Sequence, residues 1–146
     1  MAQVHREDDW MKPIQTMDVG DRLITKSRVL TRSEVELQAL LAGEYAPQFL
    51  SEDGARANGW KTTLVPGLLS LSIGYGLLMQ AGFLRDVIAY MGTTNMRFLA
   101  PVHPGDFIRM EVEVTSKKRS DKGWLCEYDW TIRNQDDQPV GQGHNR

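Results

Sequence analysis

Side chains that could carry chemistry are few in this 146-residue chain. Its three histidines are His5, His103 and His144, and neither terminal one has an acidic neighbour at metal-ligand spacing. The single cysteine, Cys126, leaves too few soft ligands for a zinc cluster and no partner for an internal disulfide. We therefore expect no metal site, and the lone thiol fits a reducing cytosol.

Serines and glycines offer no better catalytic motif. Ser70 and Ser72 lie inside a long uncharged stretch instead of a G-x-S-x-G elbow, so neither is expected to act as a nucleophile. The glycines of SIGYGLL at 72–78 do not follow a predicted strand and lack the third glycine of a dinucleotide site. We expect no cofactor, and we interpret these small residues as packing positions.

Any active site in this chain must be built around the uncharged stretch at 62–84. Pro66 fits the first turn of a helix, and the apolar residues after it cover every side of a 3.6-residue spiral, which predicts a buried helix. About 20 apolar residues would span a bilayer. Serines, glycines and Gln80 interrupt this stretch, however, and amphipathic strands follow it. We therefore favour a core helix over a membrane segment.

Composition narrows the function classes further. The 17 basic and 19 acidic residues give a net charge of −2, with no basic run long enough to predict nucleic-acid binding. The polar beginning of the chain shows no secretory signal, so we expect a cytoplasmic protein. We divide the chain into an N-terminal arm at 1–17, where Trp10, Met11 and Ile14 would dock, and a single domain at 18–146.

Residues before the uncharged stretch predict a strand, a capped helix and a loop. The strand is expected at 22–30. Thr31 and Glu34 form a capping box, and Gly43 is placed to end the helix that begins there. The apolar face of that helix would consist of Val35, Leu37, Leu40 and Leu41. An ordered loop at 44–64 would include at most a short helix around 52–58.

After residue 84 the apolar period changes from helical to alternating. Strands are predicted at 90–99 and 107–115, a polar turn at 116–123, and a further strand from residue 124 onward. Half-buried alternation is typical of antiparallel strands. The order of elements predicts an α+β fold in which a curved sheet wraps one long helix.

Three sequence blocks resemble the MaoC-like family of R-specific enoyl-CoA hydratases over about residues 18–140. The blocks are GEYAPQF at 43–49, VPGLLSLSIG at 65–74 and MRFLAPVHPGD at 96–106. The third block matches the family pattern R-F-x-x-P-V-x-x-G-D at each fixed position. The resemblance implies a hotdog fold and dimers, made of two copies or of two related chains, that hold an acyl-CoA or acyl-carrier thioester at their seam.

The family's usual Asp and His, which hold a water and move protons, are both replaced here. Glu44 stands at the position of the Asp and Phe49 at that of the His, while Pro66 replaces the histidine that opens the buried helix. Because Phe49 cannot move a proton, the usual two-residue hydration is not expected. Glu44 remains as the candidate general acid and base, although an acid after a helix is also often just solvated.

The resemblance also suggests substrate-binding residues. The free amides of Gly67 and Leu68 at the helix start would hold a thioester oxygen. Tyr45, Phe49 and Trp60 would line the acyl chain, although aromatic residues beside a core are usually core.

Three functions stay open. The first is a divergent hydratase or dehydratase that uses Glu44 alone. The second is a thioesterase, because one carboxylate near a helix N-terminus suffices for some hotdog enzymes. The third is a non-catalytic acyl-binding subunit that partners an active relative.

Overall fold

A computed structural model describes residues 1–6 and 13–146. The expected docking of Trp10 and Met11 lies outside these residues, whereas Ile14 is buried. The elements in chain order are β1 (Val4–Arg6), β2 (Arg22–Ile24), β3 (Arg28–Val29), α1 (Arg32–Ala42), α2 (Pro47–Leu50), α3 (Glu52–Ala57), α4 (Gly67–Gln80), β4 (Thr93–Phe98), β5 (Phe107–Ser120), β6 (Gly123–Asn134) and β7 (Pro139–Asn145), with a 3₁₀ turn at Ile14–Thr16.

Seven strands form one sheet in the order β1-β2-β5-β6-β7-β4, with β3 also pairing with β5. The β1–β2 pair is parallel and the other pairs are antiparallel. Helix α4 packs against β5 and β6 at the centre. The predicted α+β layout, a curved antiparallel sheet around one long helix, is confirmed, although the strand expected at 22–30 is split into β2 and β3.

The β5–β6 hairpin follows the predicted alternation. Ile108, Met110, Val112 and Val114 all face the core and are at most 2% exposed. The predicted turn at 116–123 was too long, since β5 continues to Ser120 and β6 begins at Gly123. Beyond the reach of the core, polar side chains can face solvent on both sides of a hairpin, so its last residues lose the alternation that identifies a strand.

Helix α1 has the predicted ends but not the predicted buried face. The Thr31 side chain accepts from the Glu34 amide, the Glu34 side chain accepts in return, and Gly43 adopts a left-handed φ of 70°. Its buried residues, Val35 and Ala39, are four apart. The predicted face was wrong for its leucines, because Leu37, Leu40 and Leu41 are 53%, 74% and 78% exposed.

Helix α4 begins at Gly67, so Pro66 is its N-cap and does not lie in the first turn as predicted. The helix is also not buried on every side, because Leu68, Ser72 and Met79 are exposed. Gly74 has the expected packing reason, because an added Cβ would lie 2.6 Å from Met110 Cε. Gly76 has no such neighbour within 4 Å. Within the described ranges, no helix has both the length and the apolar character needed to cross a membrane.

Candidate functional site at the start of α4

A cavity of about 300 Å³ opens beside the first turn of α4. Three parts of the chain meet there: the 49–67 segment with the helix start, the bend that follows β4, and the inner face of β6 and β7. We call this space the front cavity. Its walls are Phe49, Trp60, Leu64, Val65, Gly67, Ser70, Phe98, Leu99, Ala100, Pro101, Val102, Ile132 and Val140.

Gly67 is the first residue of α4, and its lack of a side chain lets the sheet approach. A Cβ at this position would lie 2.7 Å from the Phe98 ring, closer than real Cβ contacts allow. The amides of Leu69 and Ser70 both donate to Pro66 O, at 3.0 and 3.1 Å. Those of Gly67 and Leu68 precede the first helical hydrogen bond, so they are the orphan donors of the helix N-terminus.

The third sequence block builds the wall opposite the helix. Its Phe98 covers Gly67, and its Pro101 and Val102 line the cavity. The Val65 amide donates to Val102 O at 2.7 Å, which ties the helix start to the bend. The Asp106 carboxylate accepts from the His103 amide at 2.8 Å and so fixes the turn that follows.

His103 is held beside this wall and does not line the cavity. Its Nδ1 lies 2.9 Å from the carbonyl oxygen of Thr63. Because a carbonyl only accepts, Nδ1 must carry the proton in this contact, an assignment made from the hydrogen-bond network. The histidine thereby links the bend to the strand-like segment that enters α4.

Phe49 and Trp60 lie where a substrate-binding role requires them, on the cavity wall. Pro47 and Gly54 are in close contact, since a Cβ on Gly54 would lie 2.7 Å from Pro47, and this contact brings α2 and α3 together. Phe49 is thereby held against the core from α2. Trp60 lies further out and remains partly exposed at the mouth.

The other three candidate residues lie outside the wall. Glu44 is half-buried just after Gly43, and its carboxylate accepts from Gln38 Nε2 at 3.2 Å. Tyr45 is exposed, and Leu68 is 53% exposed and is not a wall residue. Leu68 can therefore contribute only its backbone amide.

The front cavity is lined mainly by apolar side chains and is polar only at the start of α4. None of its wall residues is an acid, a histidine, a lysine, an arginine or a cysteine. The buried Ser70 hydroxyl lies 3.5 Å from Pro66 O, a long contact. Among the described residues, no group of three or more His, Cys, Asp or Glu side chains could hold a metal ion. The arrangement can enclose an apolar chain and offer backbone N–H groups to an oxygen at its end.

Sequence reasoning missed Ser70 and Phe98 as cavity residues. Ser70 follows Gly67 by three residues and so shares its face of the helix, a spacing that could have indicated its place. Phe98 belongs to the third sequence block, but nothing local predicts its contact with Gly67, because the two residues are 31 positions apart in the printed sequence.

Comparison with known proteins gives consistent matches. The family model described as MaoC like domain matches residues 15–129. Protein MaoC of Klebsiella aerogenes is 32% identical over 123 residues, which cover 83% of this chain. Those residues are 36% of that protein, so the chain spans about a third of its relative's length.

Two solved structures show the same architecture. The monoamine oxidase regulatory protein of Archaeoglobus fulgidus aligns over 99% of this chain and 94% of its own, with a TM-score of 0.82 and 24% identity. The (R)-hydratase of A. caviae involved in PHA biosynthesis aligns over 90% and 96%, with a TM-score of 0.75 and 26% identity. The chain therefore belongs to the MaoC-like domain family and has its hotdog fold.

Proposed function

We propose that the front cavity binds the acyl group of a thioester carried by coenzyme A or by a carrier protein. One observation supports the proposal: Gly67, whose backbone amide precedes the first helical hydrogen bond of α4, lines a cavity whose other walls are mostly apolar, and the amide of Leu68 follows it directly. The partial positive charge at a helix N-terminus favours an oxygen on which negative charge develops. The thioester carbonyl would meet these amides, and the acyl chain would lie between Phe98 and Ile132.

The reaction best supported by family membership is hydration of a conjugated double bond or its reverse. Glu44 would take a proton from water as the hydroxyl oxygen bonds to the β-carbon. The electron pair of the double bond would move onto the thioester oxygen held by the amides. The Glu44 carboxyl group would then return its proton to the α-carbon, so that one water is added and no proton is lost.

Glu44 is not a wall residue, but it lies in the short segment between α1 and α2, and α2 carries Phe49 on the cavity wall. Because the α- and β-carbons of the substrate lie next to the thioester carbonyl inside the cavity, the proposal requires the Glu44 side chain to turn toward the cavity when substrate binds. The carboxylate would then exchange its contact with Gln38 for one with water.

The test replaces Glu44 by Gln and follows short trans-2-enoyl-CoA substrates. Loss of the enoyl absorbance reports hydration, and release of free thiol reports the thioesterase alternative. We expect Glu44→Gln to lower the hydration rate by about 10²–10⁴-fold, the usual contribution of a general acid or base. Glu36→Gln, on the exposed side of the preceding helix, is the matched control. An unchanged rate in Glu44→Gln would rule out the assigned role.

A second candidate is a non-catalytic acyl-binding subunit, favoured because no titratable side chain of residues 1–6 or 13–146 lines the cavity. Such a subunit would bind acyl-CoA without converting it and would function beside a related chain that supplies the missing histidine. Turnover of an acyl thioester by the purified chain alone, at ordinary enzyme rates, would exclude it.

Dimerisation through the β4 edge of the sheet would complete the site in either case. β4 is the terminal strand of the sheet, and the apolar side chains of Met96, Phe98 and Leu99 are each more than 40% exposed there. A homodimer or a heterodimer with a related hotdog chain would cover them. We place this assembly in the cytoplasm, where Cys126 would remain reduced.

A further inference from the structure

A second and larger cavity lies at the opposite end of α4. It measures about 750 Å³ and is enclosed by the end of α4, the segment after it, and the tip of the β5–β6 hairpin. We call it the rear cavity. Tyr75, Met79, Tyr90, Trp124 and Tyr128 are among its walls.

One residue of β6 lies between the two cavities. Ile132 lines the front cavity and Tyr128 lines the rear one. Side chains alternate across a strand, so Trp130 projects from the same face between them. Trp130 is 1% exposed and lines neither cavity. Trp130 therefore lies between Ile132 and Tyr128 on the inner face of β6.

Hydrogen bonds fix this indole in place. Trp130 Nε1 donates to Asn145 Oδ1 at 2.9 Å, and the Thr93 hydroxyl donates to the same oxygen at 2.7 Å. Asn145 Nδ2 donates to the hydroxyl oxygens of Tyr75 and Tyr128, both at 2.9 Å. All the donors and acceptors of the Asn145 amide are therefore used. Burial raises the pKa of both tyrosines, which keeps their hydroxyls neutral.

A glycine of β7 brings the backbone close to the indole. A Cβ on Gly143 would lie 2.5 Å from the Trp130 ring. The indole is thus packed tightly against the neighbouring strand, and the hydrogen bond from Asn145 to Tyr75 joins it to α4. We refer to Trp130, Asn145 and Tyr75 as the partition.

We propose that the partition limits the acyl chain to a short one, an inference that rests on the proposed acyl-thioester site. The front cavity lies at the small end of ligand pockets, which range over about 300–1,000 Å³. It has room for about ten water-sized groups, which leaves roughly four to six carbons beside the thioester. A longer chain meets Trp130, which cannot move without leaving buried polar groups of Asn145 unpaired.

The experiment measures dissociation constants of saturated acyl-CoA thioesters with 4, 6, 8, 10 and 12 carbons by titration calorimetry. Saturated chains report binding without any reaction. For the unaltered protein we expect the four- and six-carbon thioesters to bind at least tenfold more tightly than the ten-carbon one. Trp130→Leu should join the cavities and shift the preference to ten or twelve carbons.

Two further variants make the result decisive. Trp124→Leu is the same change on the same strand but outside the partition, and it should leave the preferred length unaltered. Trp130→Phe is a smaller change at the partition itself, and it should lengthen the preferred chain even where Trp130→Leu does not fold. Circular dichroism and thermal melting establish folding in each case.

The binding measurements distinguish a wrong role for the partition from a wrong assignment of the acyl-thioester site. Equal affinity of the unaltered protein for four- and twelve-carbon thioesters would overturn the partition while leaving the acyl site intact. An unchanged length preference in folded Trp130→Leu or Trp130→Phe would overturn it as well. No binding of any acyl-CoA by the folded protein would contradict the proposed function, and the partition's role would fall with it.

Discussion

The two ends of α4 contact the sheet through different kinds of residue. At its start, Gly67 lies under Phe98, and the walls of the front cavity offer backbone amides and almost no polar side chains. Toward its end, Tyr75 joins a buried network through Asn145, in which the amide makes four hydrogen bonds. At the start of α4, backbone amides remain free for a ligand. Toward its end, the polar side chains are hydrogen-bonded to one another within the protein. This difference suggests binding at one end and rigidity at the other.

The largest effect on stability is expected from breaking the network. Asn145→Ala removes the shared partner of Trp130, Thr93, Tyr75 and Tyr128, so buried donors and acceptors are left unpaired. We expect a loss of about 3 kcal/mol in the free energy of unfolding, measured by urea denaturation. Gln142→Ala, exposed on the same strand, should cost less than about 0.5 kcal/mol. Similar losses for both would contradict the network's importance.

A smaller loss of stability but a larger loss of binding is expected at the start of the helix. Gly67→Ala would press a Cβ against the Phe98 ring and displace it, at a cost of about 2 kcal/mol. Affinity for butyryl-CoA should fall by about tenfold or more, equivalent to about 1.4 kcal/mol.

Gly76→Ala is the matched control in the same helix, because nothing lies within 4 Å of its Cβ position. It should stabilise the protein by about 0.5–1 kcal/mol and leave affinity unaltered. If Gly67→Ala behaves like Gly76→Ala, the close contact with Phe98 is not needed for binding.

A histidine introduced into the wall of the front cavity should increase the rate of hydration. Phe49→His places an imidazole on the cavity wall, at the position where the resemblance in sequence leads us to expect the family's histidine, and Glu44 remains nearby in sequence. We expect hydration of crotonyl-CoA to rise by roughly tenfold or more over the unaltered protein. Phe49→Leu, which stays apolar, should give no rise. A folded Phe49→His that binds crotonyl-CoA without faster hydration would indicate that residue 49 does not reach the reacting carbons.

The smallest expected effect is on stability, and it involves His144, next to Asn145 on β7. His144 contacts the carboxylates of Asp129 at 2.7 Å and Glu127 at 3.1 Å, and these hydrogen bonds raise the pKa of its imidazole above the usual 6.5. Because the folded protein binds this proton more tightly than the unfolded chain, the stabilisation is complete below about pH 6.5. It is lost as pH rises through the raised pKa.

Urea midpoints of the unaltered protein and His144→Gln measured from pH 5.5 to 8.5 check this sign. The advantage of the unaltered protein should shrink as pH increases. An advantage that grows with pH would show that His144 does not stabilise the fold through its proton.

Local signals in the sequence predicted most of the elements. The Thr31–Glu34 capping box, Gly43 and the alternation of β5 each depend on neighbours along the chain, and all three are confirmed. The exposed leucines of α1 were predicted wrongly, because an apolar stripe does not reveal whether another surface covers it. The helix α2 was not predicted, since four residues are too few to show a period.

The site was predictable in part. Gly67, Phe49 and Trp60 were selected from a resemblance in sequence, and they do share one cavity. The contact of Gly67 with Phe98 and the bond of Trp130 to Asn145 depend on strand register, which no short motif encodes. Glu44 stays a prediction, because its role depends on where a bound substrate lies.

A crystal structure with butyryl-CoA would test the central claim most directly. We predict the thioester oxygen within about 2.7–3.1 Å of the amide nitrogen of Gly67 or Leu68, the distance of an oxyanion contact. The four-carbon chain would lie beside Phe98 and Ile132 and end before Trp130. An acyl chain in the rear cavity, or a thioester oxygen with no contact to the start of α4, would contradict the account.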